Sequence, residues 1–582
     1  MLRNVVRGIC ACAALFAMLA VQNVGLAQQS SFDAQVPAPT IRVTTRMVLV
    51  DVVVTDKQGK PVLGLKPADF ALEENGKEQK ISTFVTPEQN QPPAPGPALP
   101  PGIYSNRSQY RSPGGPITVL LLDATNTQFK DQAYARRQML RFVREQYKPG
   151  QRMAVFTLTD SLHVLQDFTT DPQLLYTALQ GYIPQERPFA SAVQPTNPIT
   201  TGTPTPSSTV TSLDTSRPPA NETATSATNA RGLPIFMVAG IQNFANAAVG
   251  YDLERRTDIT FEALDELARA LGGLPGRKNV IWVTGDLPFT LNPDNRIMTD
   301  AELSEDLPSF NTRRVDEHSS GDYAATARRA GAEQIREADA RLAAAQIALY
   351  PVDARGLSIS LDQDPQEVMR EMARDTGGRA YVNQNEIKQG VERAMEDTSA
   401  TYTLGYYTTN KKWDGKYRNI KIKLDRQGVD LQHRRGYFAL DPTQLKGYKP
   451  NQEVAAALGD AVPATQVAFS ARVLPSPNAK GKLGVDFLVD ASTLSAEDAS
   501  GGKKMNVFFY ATAFSQNGKI LGTQSQKVDQ TFNSSDYQQI MQHGMMLHID
   551  LAPPGNATQL RLAVQDARTG LVGTINAPLQ TQ

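Results

Sequence analysis

Residues 119–129 read VLLLDATNTQF. Four aliphatic residues run into Asp123, and hydroxyls follow at Thr125 and Thr127. The preceding PITVLLLD is a nearly continuous apolar run, as expected of a strand buried on both faces. Just after it, Ala135, Met139, Phe142 and Val143 fall on one helical stripe. The stretch therefore reads as buried strand, polar loop and helix. Its loop is either a hard-cation site at a strand end or a polar turn.

Working outward, the same alternation repeats. MAVFTLT (153–159) and HVLQDFTT (163–170) read as strands, and PQLLYTALQG as a short helix. An amphipathic helix is expected over 257–272, a buried strand in NVIWVTG, an Ala-rich helix over 323–345 and a strand plus loop in QIALYPVDARG. DPQEVMREMARDTGG is a helix opened by Asp-Pro and closed by two glycines, and 386–397 is a last helix. Strands alternating with helices give a doubly wound α/β domain with a parallel-rich sheet. Ligands of such sheets bind at the carboxyl ends of the strands, where Asp123 sits.

On either side the pattern turns to β. IRVTTRMVLVDVVVTD (41–56) and FALEENGKEQKISTFV read as strands, with a turn at Asn75-Gly76 that takes in the acidic EEN at 73–75. Residues 401–440 return to strands, which we expect to complete the sheet begun at 41–86, so that the α/β domain is inserted in a β-sandwich. The aromatic residues of YTLGYYTTNKKWDGKY fit strand packing better than sugar stacking. Residues 451–582 show about six further strands and a final hairpin with little helix, suggesting an immunoglobulin-like or fibronectin-like sandwich.

The expected organisation is thus a signal peptide at 1–27, N-terminal strands at 28–87, a Pro-rich linker at 88–115 unable to build sheet or helix, and the α/β domain at 116–398. That domain carries a disordered insertion at 186–232; strands at 399–442 and the all-β domain at 451–582 follow. The chain has 582 residues, which suits about three to five domains. Arg3 and Arg7 precede an uncharged run from Gly8 to Val21 and then Gly25, Leu26 and Ala27, the form of a secretory signal cut after Ala27. Export to the periplasm or the exterior is expected, with no transmembrane span in the mature chain. Cys10 and Cys12 are the two cysteines, so the mature chain holds no thiol-based site. Lys+Arg and Asp+Glu each number 59, and this balance argues against nucleic acid and anionic membranes as partners.

The pattern Asp-x-Ser/Thr-x-Ser/Thr arises by chance about once per thousand positions. It occurs a second time at Asp397, Ser399 and Thr401, where a helix meets a strand away from any ligand-binding edge. Context separates the two copies. Mg²⁺, Mn²⁺ or Ca²⁺ takes oxygen ligands, and Asp123, Thr125 and Thr127 offer three on one loop. Further oxygens would come from neighbouring strand ends, Thr169 or Thr170 and Asp286.

The order of strand-DATNT-helix, RMAVFTLTD, DFTTD and RKNVIWVTGD resembles the von Willebrand factor type A (VWA) domain with its metal-ion-dependent adhesion site. VDVVVTDKQGKPVLGLKPADFALEENG, ALYPVDARGL, DTGGRAYV, YTLGYYTTN and VDLQHRRGYFAL are similar to secreted VWA-related proteins abundant in Acidobacteria. The resemblance covers roughly residues 40–440. It implies a metal triad at Asp123, Thr125 and Thr127, a separate threonine at Thr169 or Thr170, and a second aspartate in a strand-end Thr-Asp-Gly. Here that segment is Thr284, Gly285 and Asp286, with Gly and Asp exchanged. The exchange leaves two outcomes open, a working cation site or a polar vestige of one.

Other chemistry is sparse. His543 and His548 in HGMMLHID are spaced i, i+5 and read as ordinary strand histidines on opposite faces. No Gly-x-Ser-x-Gly elbow or Walker loop occurs, and Asp353 is expected to cap its loop with Arg355. The expected function is non-enzymatic protein binding or adhesion, with a partner carboxylate displacing a water from the cation. A cell-envelope scaffold with an inert site is the alternative, and a hydrolase the remote one.

Overall fold

The computed structural model describes residues 47–89, 96–111, 117–148, 151–186, 235–288, 334, 337–356, 364–383, 387–439, 449–475 and 482–579. The expected signal peptide, and all but the first residue of the expected insertion at 186–232, lie outside them. Among the described residues, no helix is long and apolar enough to cross a membrane.

The central α/β unit has five strands: β1 (Ile117–Asp123), β2 (Arg152–Leu158), β3 (Leu162–Thr169), β4 (Lys278–Thr284) and β5 (Ile347–Asp353). Their order across the sheet is β5-β4-β1-β2-β3. All neighbours are parallel except β2 and β3, which pair antiparallel through a tight turn. β1, β2, β4 and β5 are buried at every position, because helices cover both faces. Those helices include α1 (Phe129–Glu145), α2 (Pro172–Gly181), α3 (Ile235–Leu271), α4 (Asp364–Thr376) and α5 (Ile387–Ser399); residues 337–344 of the Ala-rich helix expected over 323–345 are helical too, and most of the rest of that span lies outside the described residues. α3 begins well before the residue 257 expected from its amphipathic pattern.

The flanking strands assemble with one another into two sheets. Met47–Asp56 pairs antiparallel with Thr401–Tyr407, with Met47 opposite Tyr407. They form a four-stranded sheet with Ile81–Val85 and Val429–Gln432. Phe70–Glu74, Lys77–Gln79, Tyr417–Leu424 and Gly436–Phe438 form a second. The two share one core in which Val48, Val50, Val52 and Val54, alternate residues of one strand, meet Tyr402, Leu404 and Tyr406. Tyr402 and Tyr406 are fully buried, so the aromatic stretch serves packing. Asn75 and Gly76 both adopt positive φ, the geometry a two-residue hairpin requires. Glu74 is no surface turn residue, however: it is buried at a strand end and bound by Tyr406, Thr408, Tyr437 and Arg418.

The C-terminal region is β-rich, with two sheets around a shared core. It corrects two expectations. The Pro-rich linker does build structure: Ile103–Ser105 pairs with Ser470–Arg472 as an edge strand, and Ser108–Arg111 is a helical turn. Three residues of Ile-Tyr-Ser suffice, since Tyr104 packs into that core and buried Asn106 bonds the Ala464 and Val467 carbonyls and the Phe469 amide. His543 ends a helix (Ser534–His543), Gly544 breaks it at positive φ, and only His548 lies on the following strand.

Buried ions join this region to α3. Arg269 grips Asp460 through two bonds of 2.7 and 2.8 Å. Beside them Glu266 accepts the Val462 amide at 3.0 Å. Burial, reinforced by the Asp460 carboxylate, pushes Glu266 from 4.5 up to about 7. The folded state then binds this proton more tightly than the unfolded chain. Its contribution to stability is full below about pH 4.5 and is lost as pH rises through about 7. Glu266→Gln is expected to melt higher than wild type above pH 7 and to flatten the pH dependence across that window. Parallel melting curves for the two proteins would refute this account.

Candidate functional site

The parallel registers bring Asp123 beside Leu158, and Thr284 beside Asp353, at one end of the sheet. The loops that leave these strands build the candidate site. Asp123 is buried, and its carboxylate is already engaged by the protein. Oδ1 accepts the Asn126 backbone N–H at 2.8 Å. Oδ2 accepts the Asn126 side-chain amide and the Trp282 indole N–H, each at 2.9 Å. The Thr284 hydroxyl stands 3.0 Å from Oδ2 and 2.7 Å from the Asp286 carbonyl, sharing one proton between them. Burial raises the Asp123 pKa, and the bonds from Asn126, Trp282 and Thr284 oppose that rise.

The two threonines of the triad are also occupied. Thr125 donates to the Thr159 carbonyl, which turns its hydroxyl toward the β2–β3 turn. Thr127 accepts the Gly285 N–H at 2.9 Å and so ties the loop after β1 to the loop after β4. Asp286 does not turn toward Asp123. Its carboxylate takes Arg256 at 3.1 Å and its neighbour's Leu287 amide at 2.8 Å. Thr169 and Thr170 belong to the opposite end of the sheet. β3 runs antiparallel, so Thr169 pairs with Met153 at the start of β2, about 15–20 Å along the strands from Asp123. The expectation that either threonine joins the triad is therefore corrected.

The residue at the centre of this arrangement belongs to no motif of the sequence. Arg256, near the middle of α3, donates from Nε to the Asn126 side-chain oxygen at 2.9 Å and from Nη2 to Asp286. Asp252, one turn earlier, lies 3.9 Å from Nη1. Asn126 is fully buried and also bonds Thr260 at 3.0 Å. The Asp252–Arg256 spacing of i, i+4 was the available signal, hidden because the amphipathic pattern began only at 257. As placed, these groups do not fit a hard cation. Such an ion needs several oxygens with lone pairs directed inward. Asp123 instead meets three N–H donors, Thr125 faces away, and a guanidinium already neutralises Asp286.

Asp353 behaves as expected, gripped by Arg355 through two bonds of 2.9 Å and joined by Gln366. At the second copy of the pattern, Asp397 accepts the Tyr350 hydroxyl at 3.0 Å and Thr401 bonds the Asp397 carbonyl, both buried structural contacts.

Next to Thr125 the edge opens into a cavity of about 680 Å³. Asp160, Glu186, Asp252, Arg255 and Arg256 supply its charged lining, with His163 beside them. Ile183 also lines it and is 76% exposed, and Tyr251, one turn before Arg255, is 64% exposed. Arg255 is exposed and has no partner among the described residues.

No family model matches the chain, and no curated protein matches it. Among solved structures it is similar to the conserved hypothetical protein BatB from Bacteroides thetaiotaomicron, at 10% identity and TM-score 0.20, over 49% of this chain and 99% of that one. It is similar to a von Willebrand factor type A structure from Catenulispora acidiphila, at 8% identity and TM-score 0.22, over 71% of this chain and 81% of that one. An endonuclease/exonuclease/phosphatase from Beutenbergia cavernae is similar at 11% identity and TM-score 0.12, over 32% and 39%. At such scores none of these likenesses establishes a shared fold.

Proposed function

We propose that the chain is an exported VWA-type protein-binding module that catalyses no reaction and holds a partner protein at the carboxyl edge of its parallel sheet. The observation that carries this reading is the rim of that edge. Ile183 and Arg255 both line an open cavity, Ile183 is exposed, and Tyr251, also exposed, stands one helical turn before Arg255 on α3. Aromatic residues and arginine are the types that dominate binding energy at protein interfaces. The mixed charge of the lining suits a polar protein surface. In this reading Arg255 receives the partner carboxylate that a divalent ion would otherwise bridge, and Arg256 keeps the loops in place.

The test compares capture of envelope proteins by the immobilised full chain with capture by Tyr251→Ala/Arg255→Ala. Thr170→Ala, at the opposite end of the sheet, is the control. A protein retained by wild type and control should be lost by about thirtyfold or more in the double variant, as removal of hot-spot side chains implies. Chelator should leave capture unchanged. Equal capture by all three proteins overturns the assigned edge, and capture abolished by chelator overturns its metal-free character. A scaffold role in assembly is the second reading, favoured by the exposed edge strand Ile520–Phe532.

A further inference from the structure

Among the described residues, that strand is the outermost of its sheet and pairs only with Gly502–Ser515. It is 13 residues long. Gly522–Lys527 and Asp529–Thr531 are exposed, while Leu521, Val528 and Phe532 pack partly on the core. Its outer backbone groups make no backbone hydrogen bond among the described residues. Open edges of this length invite a further strand, and proteins usually shorten, bulge or heavily charge them. Here the exposed stretch from Gly522 to Thr531 carries one cation and one anion, Lys527 and Asp529.

Those two charges make the strand complementary to itself. We propose that two copies of the chain associate by antiparallel pairing of Gln524–Phe532, within this strand, across a two-fold axis at Val528. Opposed residues of an antiparallel ladder share the same hydrogen-bonding phase, so registers differ by even steps. With the axis at Val528, Lys527 faces Asp529 of the second copy and Asp529 faces its Lys527. Gln526 then opposes Gln530, Ser525 opposes Thr531, and Gln524 opposes Phe532. Moving the axis by one residue sets Lys527 against Lys527 or Asp529 against Asp529, which like-charge repulsion disfavours. The charges are pre-organised on one face. Lys527 lies 2.8 Å from Asp529 and over the Phe508 ring at 5.4 Å, and Lys504 stands 3.5 Å from Asp529. Closed two-fold pairing consumes the edge in each copy, so the assembly stops at a dimer.

The test is the mass of the full chain in solution by sedimentation equilibrium, for wild type, Lys527→Asp, Asp529→Lys and the double exchange. Wild type should be a dimer. Each single exchange changes two cross-strand pairs and should weaken dimerisation by about tenfold or more. The double exchange restores both pairs and should restore the dimer. Both side chains are exposed, and unchanged circular dichroism identifies folded variants. A monomeric wild type overturns the proposal and leaves the edge to a strand of another protein. A dimer indifferent to the single exchanges overturns this register and interface.

Discussion

Asp123→Ala is expected to destabilise the α/β domain by about 3–5 kcal/mol, equally with and without divalent cation. The substitution strips the acceptor from buried donors on two segments, the loop after β1 and strand β4. The Asn126 amide, the Trp282 indole N–H and the Thr284 hydroxyl all converge on this carboxylate. A buried donor left without a partner costs about 1–3 kcal/mol, so two or three such losses account for the total. Asp123→Asn keeps the volume but sets an amide N–H₂ against these donors, and about half the loss is expected. Trp282 makes the result visible. The chain has two tryptophans, so a Trp413→Phe background leaves Trp282 as the sole indole reporter. Urea unfolding followed by its emission, in magnesium and in chelator, gives the comparison. If magnesium stabilises wild type and that gain disappears in Asp123→Ala, the carboxylate is a metal ligand and this account fails. The same logic warns against reading lost partner capture in Asp123→Ala as lost metal, because the edge itself loosens.

Arg418→Ala should cost the first β-rich unit a similar amount, about 3–5 kcal/mol, the usual penalty for breaking a buried ion pair. Arg418 is 1% exposed and pairs with Glu74 at 3.4 Å. It also bonds the Asn410 carbonyl at 2.7 Å, donates to the Lys412 carbonyl, and stacks near the Trp413 and Tyr437 rings. Glu74 meanwhile takes the Tyr406, Thr408 and Tyr437 hydroxyls at 2.8, 2.6 and 2.9 Å. Removing the guanidinium leaves a carboxylate in the core with hydroxyl donors alone. Arg418→Met combined with Glu74→Gln should recover most of the loss, since it removes the stranded charge and keeps the volume. Trp413 emission follows this unit when Trp282 is replaced by Phe. Additive losses in the double variant would show that the two residues act separately.

Much of the fold was legible in local pattern. The nearly continuous apolar run PITVLLLD is what a sheet covered on both faces demands, and it, NVIWVTG and QIALYPVDARG all contain the strands expected there. Chain direction was less legible. HVLQDFTT reads the same for a parallel or an antiparallel strand, and its antiparallel course moved Thr169 to the far edge of the sheet. The Ile103–Ser105 strand was hidden because three residues carry no periodicity, and only the core behind Tyr104 stabilises them.

The sequence alone determined the strand-loop-helix at VLLLDATNTQF, since hydrophobic burial and turn chemistry act over neighbouring residues. It also placed Asp123 at a strand end. Tertiary structure decided what Asp123 does there. Its donors Trp282 and Thr284 lie more than 150 positions away, and Arg256, which binds Asn126 and Asp286, lies 130 from Asn126. A carboxylate is a cation ligand or an internal acceptor according to which groups reach it, and that depends on contacts between distant segments which no local pattern encodes.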